Sequence, residues 1–303
     1  MPVSSQTFAP YTVPLAENGR ELLQRGTPLF PCSIYHRDIR QYMAGAITPH
    51  WHREMELFVL ETGSVRLILP DRDVTLSPGD GYFANSNVLH GLFCGSGDAC
   101  RYRSMVFDPT ILSGAPGSAF DSLYIRPFTE KGMPACVLKP DLEWAGAVLS
   151  LFDAAFSACE NEWDGYEFLV RNALSQIFLL LKAHLPAEVP QTAARQDSRI
   201  KEMLSWLDLH YGEPVTVSQL AAASGVCVRE CQKTFAARLH LSPMQYLARR
   251  RIAAAAERLE YSDLPVGEIA ISCGFDSPSY FSRQFREMTG LTPREYRRSK
   301  RSP

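Results

Sequence analysis

His50 and His52, with Glu56 four residues further on and His90 downstream, are the residues whose types and spacing can hold a metal ion or anchor a polar ligand. Imidazole nitrogens and a carboxylate are donors that divalent transition metals accept, and three histidines with one glutamate leave coordination positions open. On a strand, side chains alternate with a period of two. His50 and His52 therefore share a face, and Glu56 joins them if the strand is unbroken. The same four residues serve equally as a hydrogen-bonded lining that contacts an effector in a pocket without metal. Nothing in the sequence requires a nucleophile or a general base, so no catalytic residue is assigned and no enzymatic activity is expected. His36, His184, His210 and His240 lack partners at ligand spacing and are read as ordinary.

Positioning four such side chains takes a sheet. Residues 57–60, 65–69 and 82–84 are β-rich runs, broken by Thr62-Gly63, Pro70-Asp71 and Ser77-Pro78-Gly79-Asp80. Short strands at this spacing, from Ile34 to about Phe107, predict an all-β sandwich or barrel. The order Gly45, His50, His52, Glu56, Gly63, then Pro78-Gly79-Asp80 and His90, resembles the two motifs of the cupin superfamily. That resemblance implies a divalent metal held by His50, His52, Glu56 and His90. The second motif departs from the pattern, because residues 85–89 lack the usual proline and glycine before the histidine.

A second constellation runs from Val215 to Tyr296, where one pattern is written twice. Residues 220–226 lie over 269–275 at an offset of 49. Beyond the turn the offset is 50, with Phe235 over Phe285, residues 241–243 over 291–293 and Tyr246 over Tyr296. Each copy reads as a short helix, a glycine turn at Gly225 or Gly274, and a second helix, the shape that offers a helix to a DNA groove. Ser277 can cap the later helix and Pro278 fits its first position; the earlier copy starts more weakly, at Cys227. Cys231 with Phe235, and Phe281 with Phe285, stand four apart and face inward. Between the copies, the run from Ser242-Pro243 to Tyr261 predicts a helix of roughly 18 residues, about 27 Å long. Such a rod would hold two recognition helices near the ~34 Å spacing of successive major-groove faces.

Arg251-Ile252, Ala255, Leu259, Ile269-Ala270, Gly274-Phe275, Phe281, Phe285 and residues 290–293 follow the order and spacing of the AraC/XylS regulators, and this region resembles that family. By that resemblance Arg229, Gln232 and Lys233 in the first copy, and Ser277, Ser279 and Arg283 in the second, form the DNA-binding surface. Cys227 and Cys231 depart from the Ser and Leu common at those places. The resemblance also implies a sensory cupin domain, a small-molecule effector such as a carbohydrate, a homodimer, and activation through RNA polymerase.

The 303-residue chain is long enough for two domains. Its net charge of -2 hides an asymmetry: residues 1–190 carry 14 Lys and Arg against 21 Asp and Glu, residues 191–303 carry 17 against 12. Only the later part has the balance of a polyanion binder, and the run Arg249-Arg250-Arg251 is read as a partial phosphate contact. No apolar run is long enough to span a membrane and no signal peptide is evident, so a cytoplasmic protein with reduced cysteines is expected. Its eight cysteines form no CxxC pair. Apolar residues at threes and fours predict two helices between Asp141 and Ala183. The expected architecture is two-domain. Residues 1–135 form an all-β cupin-like effector-binding barrel with an N-terminal arm, 136–185 a helical pair for dimerisation, 186–196 a linker and 197–303 an all-α double helix-turn-helix. The function is a DNA-binding transcription regulator; the rival is a metal-dependent cupin enzyme carrying a DNA-binding domain.

Overall fold

A computed structural model describes residues 26–301 apart from 71, 96–98, 132–134 and 186–190, and leaves the side chains of 191–197 and 301 undescribed. Most of the expected arm, and residues 186–190 of the expected linker, lie outside the described residues. The strands are β1 (Cys32–Asp38), β2 (Ala46–His50), β3 (Met55–Leu60), β4 (Val65–Ile68), β5 (Asp73–Leu76), β6 (Gly81–Ala84), β7 (His90–Cys94), β8 (Arg101–Phe107) and β9 (Ala135–Leu138). They form a five-stranded sheet in the order β1-β8-β3-β6-β9 and a four-stranded sheet in the order β2-β7-β4-β5.

β3 is buried along its whole length because both of its faces are covered. Met55, Leu57 and Val59 point one way, with Phe83, Met105 and Phe107 of the neighbouring strands, into a core shared with two helices. Those helices are α3 (Glu143–Asn161) and α4 (Tyr166–His184), which follow the short α1 (Thr110–Ser113) and α2 (Arg126–Lys131). The inward stripe of α3 is Ala145, Val148, Leu149, Phe152, Ala155 and Phe156, and that of α4 is Val170, Ala173, Leu174, Ile177 and Leu181. This is the spacing that puts one helical face on a sheet. Arg103, on the same sheet face, lies over the Phe152 and Phe156 rings and pairs with Asp153 at 2.9 Å. The other β3 parity, Glu56, Phe58 and Leu60, faces away from the helices.

By contact, the described part of Pro49–Asp197 with β1 is one compact unit, and Ser198–Pro303 with Ile39–Thr48 is another. The helices of the second are α5 (Gln191–His210), α6 (Val217–Ala223), α7 (Val228–Leu239), α8 (Pro243–Tyr261), α9 (Val266–Ser272), α10 (Pro278–Thr289) and α11 (Pro293–Arg301). α5 starts at Gln191, inside the segment read as linker. α6 and α8 begin with capping boxes, Thr216 with Gln219 and Ser242 with Gln245, while α10 is capped by Ser277 with Pro278 in its first turn. α7 has no side-chain cap at Cys227. Ile252, Ala255, Leu259, Ile269, Ala270, Phe281, Phe285 and Tyr296 share a core.

The run of arginines at 249–251 corrects one expectation. Arg250 is buried and pairs with Asp208 at 2.9 Å, over the ring of Tyr211. Arg251 donates to the carbonyls of Tyr211 and Glu213. Both guanidiniums hold α8 to the chain around the end of α5, so the charge of the run is spent inside the fold.

Candidate functional site

The sensor histidines converge, although by another route than strand parity. β2 ends at His50, the chain bends at Arg53 and Glu54, and β3 begins at Met55 in the other sheet. His50 and His52 thus come from one side of this crossing, Glu56 from β3 and His90 from the start of β7. All four are buried, His52 at 2 % and Glu56 at 7 % relative exposure. One ligand atom from each of His50, His52 and His90 lies within 4.8 Å of the others. The ring centroids stand 4.6 Å apart for His50 and His90, and 5.1 Å for His52 and His90.

Backbone carbonyls orient two of the rings. His52 Nδ1 meets the Glu54 carbonyl at 3.0 Å and His90 Nδ1 meets that of Val88 at 2.9 Å. A carbonyl only accepts, so the Nδ1 atoms donate and the Nε2 atoms of neutral rings present lone pairs. His90 Nε2 lies 3.0 Å from Glu56 Oε2, and His52 Nε2 lies 3.5 Å from the same oxygen. His52 Nε2 is buried without a hydrogen-bond partner among the described residues. Lone pairs of two imidazoles and a carboxylate thus point at one another, an arrangement that a proton or a metal cation relieves. Burial alone would raise the Glu56 carboxyl, but the neighbouring His52 and His90 outweigh it and hold it well below the usual carboxylate range.

The imperfect second motif is accommodated by Asn87, which takes the left-handed conformation at φ 58° where glycine would be the easy choice. Its N–H donates to the His52 carbonyl at 2.7 Å, tying the turn before His90 to the other histidine segment. Sequence reasoning missed the aromatic wall beside the cluster. Phe58 stacks on Tyr82 at 4.9 Å and on Tyr102 at 5.0 Å, and Tyr82 stands 6.1 Å from His90. Phe58 shares the parity of Glu56 on β3, and that was the available signal.

In the helical unit, Arg229, Gln232 and Lys233 on α7, and Ser279 and Arg283 on α10, are exposed, while Cys231, Phe235, Phe281 and Phe285 are buried as their spacing requires. Ser277 is exposed and its Oγ accepts from the Tyr280 N–H at 3.3 Å, so it starts the helix. The Arg283 guanidinium lies 5.4 Å from the centroid of the Tyr280 ring. Gly225 and Gly274 make the two turns at φ 64° and 81°. Among the described residues, no helix is long and apolar enough to cross a membrane.

An AraC-like ligand binding domain matches residues 37–203, and a helix-turn-helix domain matches residues 220–299. The chain is 26 % identical over 284 residues to the uncharacterized HTH-type transcriptional regulator YdeC of Bacillus subtilis, covering 93 % of this chain and 97 % of that one. It is 30 % identical over 148 residues to the HTH-type transcriptional activator RhaS of Klebsiella pneumoniae, 48 % of this chain and 52 % of RhaS. Among solved structures, the DNA-binding domain of AdpA in complex with a target DNA is 33 % identical, with 34 % of this chain and 93 % of that chain covered at a TM-score of 0.33. With a ligand-binding domain that spans more than half of its length and a helix-turn-helix domain behind it, this chain belongs to the AraC family of transcriptional regulators.

Proposed function

We propose that the chain is a cytoplasmic, homodimeric transcription activator whose occupancy of DNA is set by a small molecule bound at His50, His52, Glu56 and His90. The carrying observation is the buried convergence of three imidazoles and a carboxylate inside the ligand-binding domain of a DNA-binding regulator. Polar groups of this density favour an oxygen-rich effector, and carbohydrates stand first. Double-stranded DNA is contacted by Arg229, Gln232, Lys233, Ser277, Ser279 and Arg283, whose exposure leaves them available. Activation through RNA polymerase draws support from the activator RhaS, to which the C-terminal half is similar. α3 and α4 are the dimerisation element. Phe168 at 71 % exposure and Leu179 at 59 % stand on one outward face of α4, three turns apart.

A divalent transition metal is a further occupant, favoured by His52 Nε2, which is oriented from behind by a backbone carbonyl and left without a hydrogen-bond partner among the described residues. The donor set fits: His50, His52 and His90 would hold the ion with Glu56 beside them. Bound there, it would supply a Lewis-acidic anchor for an effector oxygen.

The test joins elemental analysis to a thermal-shift screen of sugars and common metabolites, followed by the double substitution His50→Ala and His90→Ala. DNA binding is expected to survive in the double variant while the effector response is lost. An unchanged response sinks the assignment of the site. Stoichiometric metal accompanied by substrate turnover overturns the regulator reading in favour of a cupin enzyme with a DNA-binding domain.

A further inference from the structure

β1 lies along the five-stranded sheet with Cys32, Ile34 and His36 on the face turned to the helices. The inward stripe of α3 runs from Ala145 through Phe152 and Phe156 and, one turn further, reaches Cys159. The His36 ring meets Phe156 edge-on at 6.4 Å, which sets the strand against that end of the helix. Cys32 and Cys159, 127 positions apart in the sequence, are thereby brought thiol to thiol, with the Cys32 S–H donating to the Cys159 sulfur. Both are reduced and only partly buried, whereas Cys100, Cys136, Cys231 and Cys273 are fully buried.

We propose that Cys32 and Cys159 form a modification site, a dithiol that hydroperoxides convert reversibly into a disulfide between β1 and α3. The two thiols have different roles. The hydrogen bond from Cys32 lowers the Cys159 thiol, against its partial burial and the nearby Glu162 and Glu167. Cys32, donating that bond and further buried, is pushed well up. Cys159 is the attacking thiolate and Cys32 resolves it.

The chemistry balances with peroxide as the oxidant. The Cys159 thiolate attacks one peroxide oxygen, the O–O bond breaks, and the departing hydroxide takes a proton to become water. The resulting sulfenic acid is attacked by the Cys32 sulfur; the S–S bond forms, the S–O bond breaks, and the hydroxide released takes the Cys32 proton as a second water. The two sulfurs together lose two electrons, which the peroxide gains. A cellular dithiol reverses the reaction by exchange.

The full-length reduced protein is treated with hydrogen peroxide and digested without reduction. The expected product is a Cys32–Cys159 linked peptide that disappears on treatment with a dithiol reductant. In Cys32→Ser the sulfenic acid has no resolving partner, and dimedone is expected to label Cys159 at about tenfold the rate of the exposed Cys227, a difference in reactivity that follows thiolate character. Oxidation of Cys227 or Cys94 while Cys32 and Cys159 remain alkylatable overturns the proposal, as does equal dimedone labelling. Should Cys32→Ser fail to fold, the peptide map of the unsubstituted protein decides alone.

Discussion

The two helix-turn-helix turns offer a controlled comparison, because Gly225 and Gly274 share a role and a backbone conformation but not a setting. Both have positive φ, so alanine at either costs about 1–2 kcal/mol for the left-handed conformation. At Gly225 an added Cβ meets nothing within 4 Å, and the cost stops there. At Gly274 it would come 2.6 Å from the Tyr211 carbonyl oxygen and 2.9 Å from Arg251 Cζ and Nε. That guanidinium cannot move aside freely, since it donates to Tyr211 at 2.8 Å and to Glu213 at 2.7 Å. Losing even one such charged hydrogen bond adds about 1.5–3 kcal/mol. Gly274→Ala should therefore be the more damaging by at least about 2 kcal/mol, roughly a 30-fold change in an opening equilibrium at 1.4 kcal/mol per decade. Hydrogen exchange on the full chain, followed in peptides from α7 and α10, reads both turns at once. Equal loss of protection in the two variants, or a larger loss for Gly225→Ala, would refute the steric argument.

Three other expectations are open to measurement. Cys227 leaves α7 without a side-chain cap, so Cys227→Ser should stabilise that helix while Ser277→Ala weakens α10, each by about 1 kcal/mol; denaturant midpoints that move together in one direction contradict this. Arg283→Ala should cost about 1–3 kcal/mol of DNA affinity and relax preference at one base pair, whereas a uniform loss on all sequences would reduce Arg283 to a phosphate contact. Burial pushes the Asp208 carboxyl up to about 7, with the Arg250 guanidinium pulling it back. The fold then keeps a proton that the unfolded chain releases above its ordinary value near 4. Stability of the helical unit is accordingly greatest at low pH and declines by about 1.4 kcal/mol per unit as pH rises from 4 to 7. Asp208→Asn should flatten that slope in melts taken between pH 5 and 7.5, and an unaltered slope would rule the carboxyl out as its source.

The DNA-binding half was legible because its cues are local. A glycine turn, a Ser-Pro helix start and two aromatics four apart each act within a dozen residues, and Pro278–Thr289 forms as that punctuation dictates. The arginine run misled for the opposite reason. Whether Arg250 faces DNA or protein depends on Asp208, 42 positions away, and on Tyr211, neither of which a run of charge reveals. The sensor site lay between these cases. Residue types identified the four side chains, but an unbroken strand was the wrong carrier, since the bend at Arg53 and Glu54 sends Glu56 into the other sheet. Cys32 and Cys159 were invisible as a pair, because only the register of an edge strand against a helix stripe brings them together.

β3 has no idle side. Its odd positions are fixed by the helices and its even ones by the ligand cluster and the Phe58 stack, so few substitutions along it can pass unnoticed. New effector preferences in such a protein would then be expected to arise elsewhere, in the bend at residues 53–54 and the turn at residues 85–89. These segments border the same site without also serving as a wall for the helices. A directed-evolution library aimed at changing the inducer is better spent there than on the strand that displays Glu56.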